Sequence, residues 1–333
     1  MRIEEMGIDE WEAALPQGGF EVFHTPQALR VLEAHTDATL RLYGAFKGEV
    51  PVGLFPVFVG SRAGGRLVTS PPPGMSVPRL GPIVMPTSPK QRKRESVNRN
   101  FVELVLDEVG ADSARSLVRF VCPMTYDDPR PFQWADMDVS QSFTYVLDLR
   151  SETTESIRSQ FSKSLRREIR RAEAADVSVS LEGTEAAERI YDDVADRYAE
   201  QDETFPVGRE YFRDLVGTLR DRCRVYTARD ANGAFLGGIV VLYSDDVAAF
   251  WQGGVRADYD GASVNSYLHW RIIADIIRGD APDVWGYDLV GANTPNLCRY
   301  KSKFGADLVA YNTVESAGAQ MSVAKRAYSL ISN

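Results

Sequence analysis

The sequence predicts a mixed α/β protein of two domains, each combining helices with a mixed sheet. Three observations carry this. The chain has 333 residues, more than the roughly 100–200 of a typical single domain. Strand-like runs and amphipathic runs interleave in both halves. The second half also follows a distinctive order: strand, helices, three antiparallel strands, helix, strand, helix, strand. We place the domains at residues 1–142 and 143–333.

The elements follow in chain order. Trp11 to Leu15 and Thr25 to Ala34 read as short helices, then Leu40–Phe46 and Val52–Val59 alternate as strands about a Lys47-Gly48 turn. Thr69 to Pro82 holds so many prolines and glycines that regular structure is excluded, leaving a long stiff loop that either borders a substrate channel or simply connects. Gln91-Arg-Lys-Arg94 opens a helix through Val109 and reads as a solvated basic face.

Beyond the boundary, Phe143–Leu149 is a strand and Ser151 to Ala174 one helix. Ile157, Phe161, Leu165, Ile169 and Ala172 stripe one side of that helix, with Lys163, Arg166, Arg167 and Arg170 roughly opposite. Val177–Leu181 is strand-like, and helices follow at Glu185–Gln201 and Arg209–Arg220. Strands Arg224–Arg229 and Phe235–Tyr243 are joined by the Asn232-Gly233 hairpin signal. Val247–Gly254 is a third strand, Ser263–Ile277 a helix, and Val284–Val290 a strand ending at Gly291. The next helix starts at Pro295, capped by Thr294, and stops at Gly305. Leu308–Val314 closes the sheet.

Composition sets outer bounds. Hydrophobic residues make up 44% and charged residues 26%, ordinary for a folded globular chain. A net charge of −9 argues against DNA and anionic surfaces except where cations cluster. Cys122, Cys223 and Cys298 are odd in number and widely spaced, and there are only three histidines, so neither a disulfide framework nor a metal centre is expected. The acidic start Met1-Arg-Ile-Glu-Glu5 is no secretory signal, and no apolar run reaches the length of a membrane span, so a cytoplasmic location is expected.

The cations are unevenly spent. Of seven lysines beside 31 arginines, Lys301 and Lys303 share one short helix. An ammonium is a compact point charge and a guanidinium a planar fork, so lysine retained in an arginine-biased chain points to a chemical need. The Lys163–Arg171 run is a second cluster. The two are expected to flank a cleft that handles an anionic substrate and an acyl carbonyl.

The order of elements resembles the GNAT acyltransferase fold. Phe143-Thr-Tyr-Val-Leu-Asp-Leu149, Phe161-Ser-Lys-Ser-Leu-Arg-Arg-Glu-Ile-Arg-Arg-Ala172, Tyr287-Asp-Leu-Val-Gly291 and Arg299-Tyr-Lys-Ser-Lys-Phe-Gly305 resemble its Fem-type branch. That branch includes peptidoglycan-bridge aminoacyltransferases and related proteins of exopolysaccharide and cell-envelope clusters. The resemblance is good over residues 140–315 and general before them. It implies two tandem GNAT-like domains, the first degenerate. It also implies transfer of an acyl or aminoacyl group, from acyl-CoA or aminoacyl-tRNA, to an amine of a nucleotide-sugar, lipid-linked or peptide acceptor.

Within the resemblance, Lys301 matches the lysine of a Phe/Tyr-Lys-x-x-Phe-Gly motif associated with transfer, with Tyr300 beside it. Lys301 is therefore expected to stabilise the oxyanion of acyl transfer, although a lysine at a helix C-terminus also serves the macrodipole. A basic residue of the Lys163–Arg171 helix contacts acceptor phosphates in the resembled enzymes. Lys163, Arg166 and Arg170 take that role here, with a solvated face paired to Glu168 and Glu173 as the alternative. Asp288, near a strand's carboxyl end, either accepts a proton, orients Lys301 or caps the following loop.

Trp251, Gln252, Asn265 and Tyr267 are candidate lining residues, though ordinary core packing is the favoured reading of the aromatics, and His269 reads as a packed, hydrogen-bonded histidine. GNAT enzymes hold coenzyme A pyrophosphate with a (Gln/Arg)-x-x-Gly-x-(Gly/Ala) loop. The segment Gln252–Ala262 lacks it and carries Asp258 and Asp260, which favours a donor other than coenzyme A. A catalytically silent module binding a phosphorylated or lipid-linked ligand is the competing function. Peripheral membrane contact through the basic helix or the amphipathic 321–331 segment is a third.

Overall fold

The computed structural model describes residues 1–62, 65–85, 88–111, 113, 116–255 and 258–317. The chain divides into two compact units, residues 1–142 with 310–333, and 143–309.

In the first unit, β1 (Arg2–Glu5), β2 (Thr39–Lys47), β3 (Val50–Arg62) and β4 (Gly65–Ser70) pair antiparallel in that order, and β5 (Ile83–Val84) also pairs β3. Strand β6 (Ser116–Val121) joins β4 in parallel. Helices α1 (Ile8–Ala14), α2 (Pro26–Ala34), α3 (Gln91–Glu108) and α4 (Arg130–Trp134), with a 3-10 turn at Val22–His24, also belong to the unit. Its core holds Phe55, Phe101, Phe120 and Phe132, with Phe55 edge-on to Phe120 at 4.8 Å. Gly53 is demanded by this packing, because a Cβ there would lie 2.7 Å from the Phe101 ring.

Three strands of this unit escape periodicity: β1, β4 and β6 are short, and only the last two residues of β4, Thr69 and Ser70, fall in the stretch expected to be loop. From Pro71 onward the Pro-rich segment is irregular. It is pinned from beneath by the buried pair Arg79–Glu21 at 2.8 Å and by His24, whose Nε2 lies 3.1 Å from the Gly81 carbonyl.

Strand β7 (Met137–Asp148) leads into the second unit. There follow α5 (Thr154–Gln160), α6 (Lys163–Ala174), β8 (Ser178–Glu182), α7 (Thr184–Ala199), α8 (Arg209–Leu219), β9 (Cys223–Arg229), β10 (Phe235–Tyr243) and β11 (Val247–Gly253). The small hairpin β12 (Asp258–Tyr259) and β13 (Ala262–Ser263) precedes α9 (Val264–Arg278). Strand β14 (Gly286–Asp288), α10 (Pro295–Lys301) and a 3-10 turn (Ser302–Phe304) come next. The sheet order is β7-β14-β11-β10-β9-β8, antiparallel throughout except that β14 and β11 run in parallel. Ten residues of α9 are buried against it.

The final strand, β15 (Asp307–Ser316), was expected within a second domain running to residue 333. From Ala310 on its residues belong to the first unit, where Thr313 pairs with Val121 and Ser316 Oγ accepts from Val118 N at 2.7 Å.

The helix expected over Ser151 to Ala174 is two helices. Phe161 is extended and wedges edge-on between Trp270 (5.8 Å) and Phe304 (5.5 Å). Ser162 donates its N–H to Lys303 O instead of continuing the helix, and its Oγ accepts from Leu165 N at 3.2 Å as a new cap. The apolar residues keep a four-residue spacing across this break, so periodicity does not reveal it.

Candidate active site

Lys301 closes α10. Thr294 caps that helix by accepting from Leu297 N, Pro295 supplies the first helical φ, and Gly305 ends the turn beyond at φ 71. The side chain of Lys301 is 4% exposed. Its Nζ donates to the carbonyls of Val290 and, at 3.0 Å, Gly291, and lies 5.8 Å from the centre of the Phe250 ring. Burial lowers its pKa to about 8, partly opposed by the charge of Asp288, which favours the ammonium.

The turn that grips the ammonium is strained. Val290 has φ 47, a left-handed conformation costly for a β-branched residue, and Gly291 follows at φ 81. Asp288, fully buried at the end of β14, holds the strain in place. Its Oδ1 accepts from Thr144 Oγ1 at 2.5 Å and from Val290 N at 2.8 Å, while Thr144 Oγ1 accepts from Gly291 N at 3.2 Å. Asp288 thus caps the turn and lends its charge to Lys301.

Tyr300 accepts a hydrogen bond from Asn265 Nδ2 at 2.8 Å, and Asn265 Oδ1 accepts from Val255 N at 3.1 Å. Asn265 therefore ties the end of β11 to α10. Burial raises the Tyr300 phenol far above its ordinary value, so it stays neutral. The strand end is further fastened by Arg197, which donates to the carbonyls of Gly253 (3.1 Å) and Gly254.

The basic helix α6 presents a concavity of about 630 Å³ lined by Lys163, Ser164, Arg166, Arg167 and Arg170. Arg166 also donates to Ser159 O at 3.2 Å. The expected acidic partners are used elsewhere: Glu173 pairs with Arg158 at 2.9 Å, and Glu168 with Lys303 at 3.0 Å while accepting from Ser266 Oγ at 2.8 Å. Glu168 thereby ties α6 to α9 and to the residues just after Lys301.

The lining candidates separate. Asn265 joins Lys301, Tyr300 and Asp288. Trp251 is the extra residue of a bulge, since Val240 pairs with Gln252 and Val241 with Phe250, and its ring stacks on Phe212 at 5.1 Å. Phe250 instead meets His269 and Lys301. Gln252 is buried just past the bulge, and Tyr267 packs in the core cluster. Thr144, Phe250 and Arg197 are site residues that sequence reasoning missed, and Glu168, read as a partner of the basic face, pairs with Lys303 instead. Only the Asp288–Gly291 spacing hints at Thr144, and nothing local at Phe250 or Arg197. Among the described residues, no cluster of three metal-ligating side chains occurs. None of their helices is long and apolar enough to cross a membrane. The amphipathic 321–331 segment lies outside the described residues.

Residues 159–302 match the acetyltransferase (GNAT) domain family. This segment is thus similar to GNAT acetyltransferase domains. The whole chain superposes on solved structures at full length. FemX aligns over 100% of both chains at 10% identity with a TM-score of 0.72. The C-terminal domain of a putative lysylphosphatidylglycerol synthetase from Agrobacterium fabrum aligns over 97% of this chain and 96% of its own, at 11% identity and TM-score 0.60. A tandem GNAT protein from the clavulanic acid biosynthesis pathway covers 96% and 99%, at 15% identity and TM-score 0.50. No curated protein matches the chain in sequence. The fold is thus a tandem GNAT fold of the Fem-like kind.

Proposed function

We propose that the protein is an N-acyltransferase or aminoacyltransferase that transfers its acyl group to an amine on a phosphorylated or lipid-linked precursor of the cell envelope or a glycan. The observation that carries this reading is Lys301, a buried ammonium gripped by a strained turn inside a GNAT domain. An ammonium has three protons. Two carbonyls take two, and the third is available to the oxyanion that forms when an amine attacks the acyl carbonyl. In a desolvated site such a donor supplies about 3–4 kcal/mol of transition-state stabilisation. Asp288 and Tyr300 act through Lys301, the first by charge and turn geometry, the second by fixing the helix.

Lys163, Arg166 and Arg170 support recognition of acceptor phosphates, since their concavity offers several cations without competing carboxylates in its lining. For the donor, backbone amides near the end of β11 are already engaged: Gly254 N donates to Gly238 O at 2.8 Å and Val255 N to Asn265. Together with Asp258 and Asp260, this supports a donor without a pyrophosphate, such as aminoacyl-tRNA, over acyl-CoA. The names of the FemX and lysylphosphatidylglycerol synthetase neighbours agree with envelope-linked transfer. Residence in the cytoplasm, where such donors are made, follows from this reading.

The test is to offer radiolabelled acetyl-CoA and mixed aminoacyl-tRNA separately, with amine-bearing nucleotide-sugar and lipid-linked acceptors. Lys301→Met is expected to lower turnover by roughly a hundredfold or more while acceptor affinity changes little. Unchanged turnover would remove Lys301 from the chemistry.

A further inference from the structure

His269 is fully buried in α9. Its Nδ1 lies 2.8 Å from the Tyr287 hydroxyl, and its Nε2 has no hydrogen-bond partner among the described residues. The ring meets Phe250 at 4.9 Å, Phe304 at 5.4 Å and Tyr300 at 6.2 Å. These neighbours are specific. Tyr287 immediately precedes Asp288, Tyr300 immediately precedes Lys301, and Phe250 is the ring beneath the Lys301 ammonium. One imidazole touches a neighbour of each charged group. A phenylalanine would fill the same space without leaving a buried nitrogen unpaired, so packing alone does not account for histidine here.

We propose that His269 is a positioning residue: its hydrogen bond to the Tyr287 hydroxyl fixes β14, and with it the placement of Asp288 against Lys301. This rests on the reading of Lys301 given above. Around that ammonium stand the Val290 and Gly291 carbonyls, Asp288 on β14, Cys298 on α10, His269 on α9 and the Phe250 ring on β11. Burial and the charge of Lys301 hold His269 neutral, its pKa lowered to about 3, so it adds no competing charge. Without the imidazole, the buried Tyr287 hydroxyl must find another partner. β14 then shifts, and the carboxylate supports the ammonium less well.

The chain has seven lysines, few enough to follow individually in protein labelled with 13Cε-lysine, with Lys301→Met assigning the Lys301 line. Lys301 is expected to titrate near 8 in the native protein. His269→Phe and Tyr287→Phe should each lower that value by roughly half a unit or more, and the double variant no further than either single. His269→Asn, whose amide reaches the Nδ1 position, should restore the native titration. A folded variant with Lys301 titrating as in the native protein, or additive shifts, overturns the proposal. Should His269→Phe fail to fold, Tyr287→Phe, which deletes one hydroxyl, decides alone. The titration needs no substrate. Failure of Lys301→Met to reduce turnover would therefore sink the catalytic reading without touching this one, and the reverse also holds.

Discussion

A lysine buried against two backbone carbonyls is costly to keep charged, and Lys301 is held charged by Asp288, Phe250 and its hydrogen bonds. The proposed chemistry uses the ammonium. With its pKa lowered to about 8, the active form is complete below that pH and is lost as pH rises through it. Turnover should therefore fall on an alkaline limb centred near 8, read from initial rates across pH 6–10. Lys301→Arg should abolish that limb in whatever activity remains, because a guanidinium does not titrate there. At this scale the sequence is informative for Lys301, Tyr300 and Asp288, which sit in short motifs beside a cap and a glycine. For Trp251 it supports core packing but not the direction in which the ring points. A bulge turns that ring toward α8, and a bulge is a mismatch between two strands that neither strand shows alone.

Elements are placed as much by glycines as by apolar faces. Gly253 has φ 113, and a Cβ on it would lie 2.2 Å from Gly238 O. Gly253→Ala should cost about 3 kcal/mol or more in urea unfolding, since backbone rather than a side chain must move. It should also uncouple Arg197 and Asn265 from the strand end. The break in the basic helix has a comparable cause. Residues far along the chain, Trp270 and Phe304, capture Phe161, and Lys303 captures the Ser162 N–H. Hence the stripe and the cationic face were legible from spacing, while the division into α5 and α6 was not. What the division achieves is to start α6 at Lys163, so that four cations and Ser164 line one concavity.

At the scale of the whole molecule, the described residues include one hydrophobic cluster around Phe55, Phe101 and Phe120 and another around Leu165, Ile169 and Leu268. Each answers to its own unit. Leu165→Ala removes a fully buried side chain and should cost about 2–5 kcal/mol. In differential scanning calorimetry it should lower one transition and leave a second, reported by Phe101→Ala, in place. A single transition moved equally by both variants would show that the two cores unfold as one.

By itself, the sequence determined most of the elements, the Thr294 cap, the cationic face of α6 and the lysine that closes α10, because periodicity, capping and turn chemistry act within a few residues. Tertiary structure decided the rest. The Thr144–Asp288 hydrogen bond joins residues 144 apart in the chain, and the strain at Val290, the burial of Lys301 and the contacts of His269 depend on such pairings. The charge state of Lys301 is likewise set by distant parts of the chain. The environment that sets its charge is assembled from β7, β11, β14 and α9, and long-range packing alone brings those together.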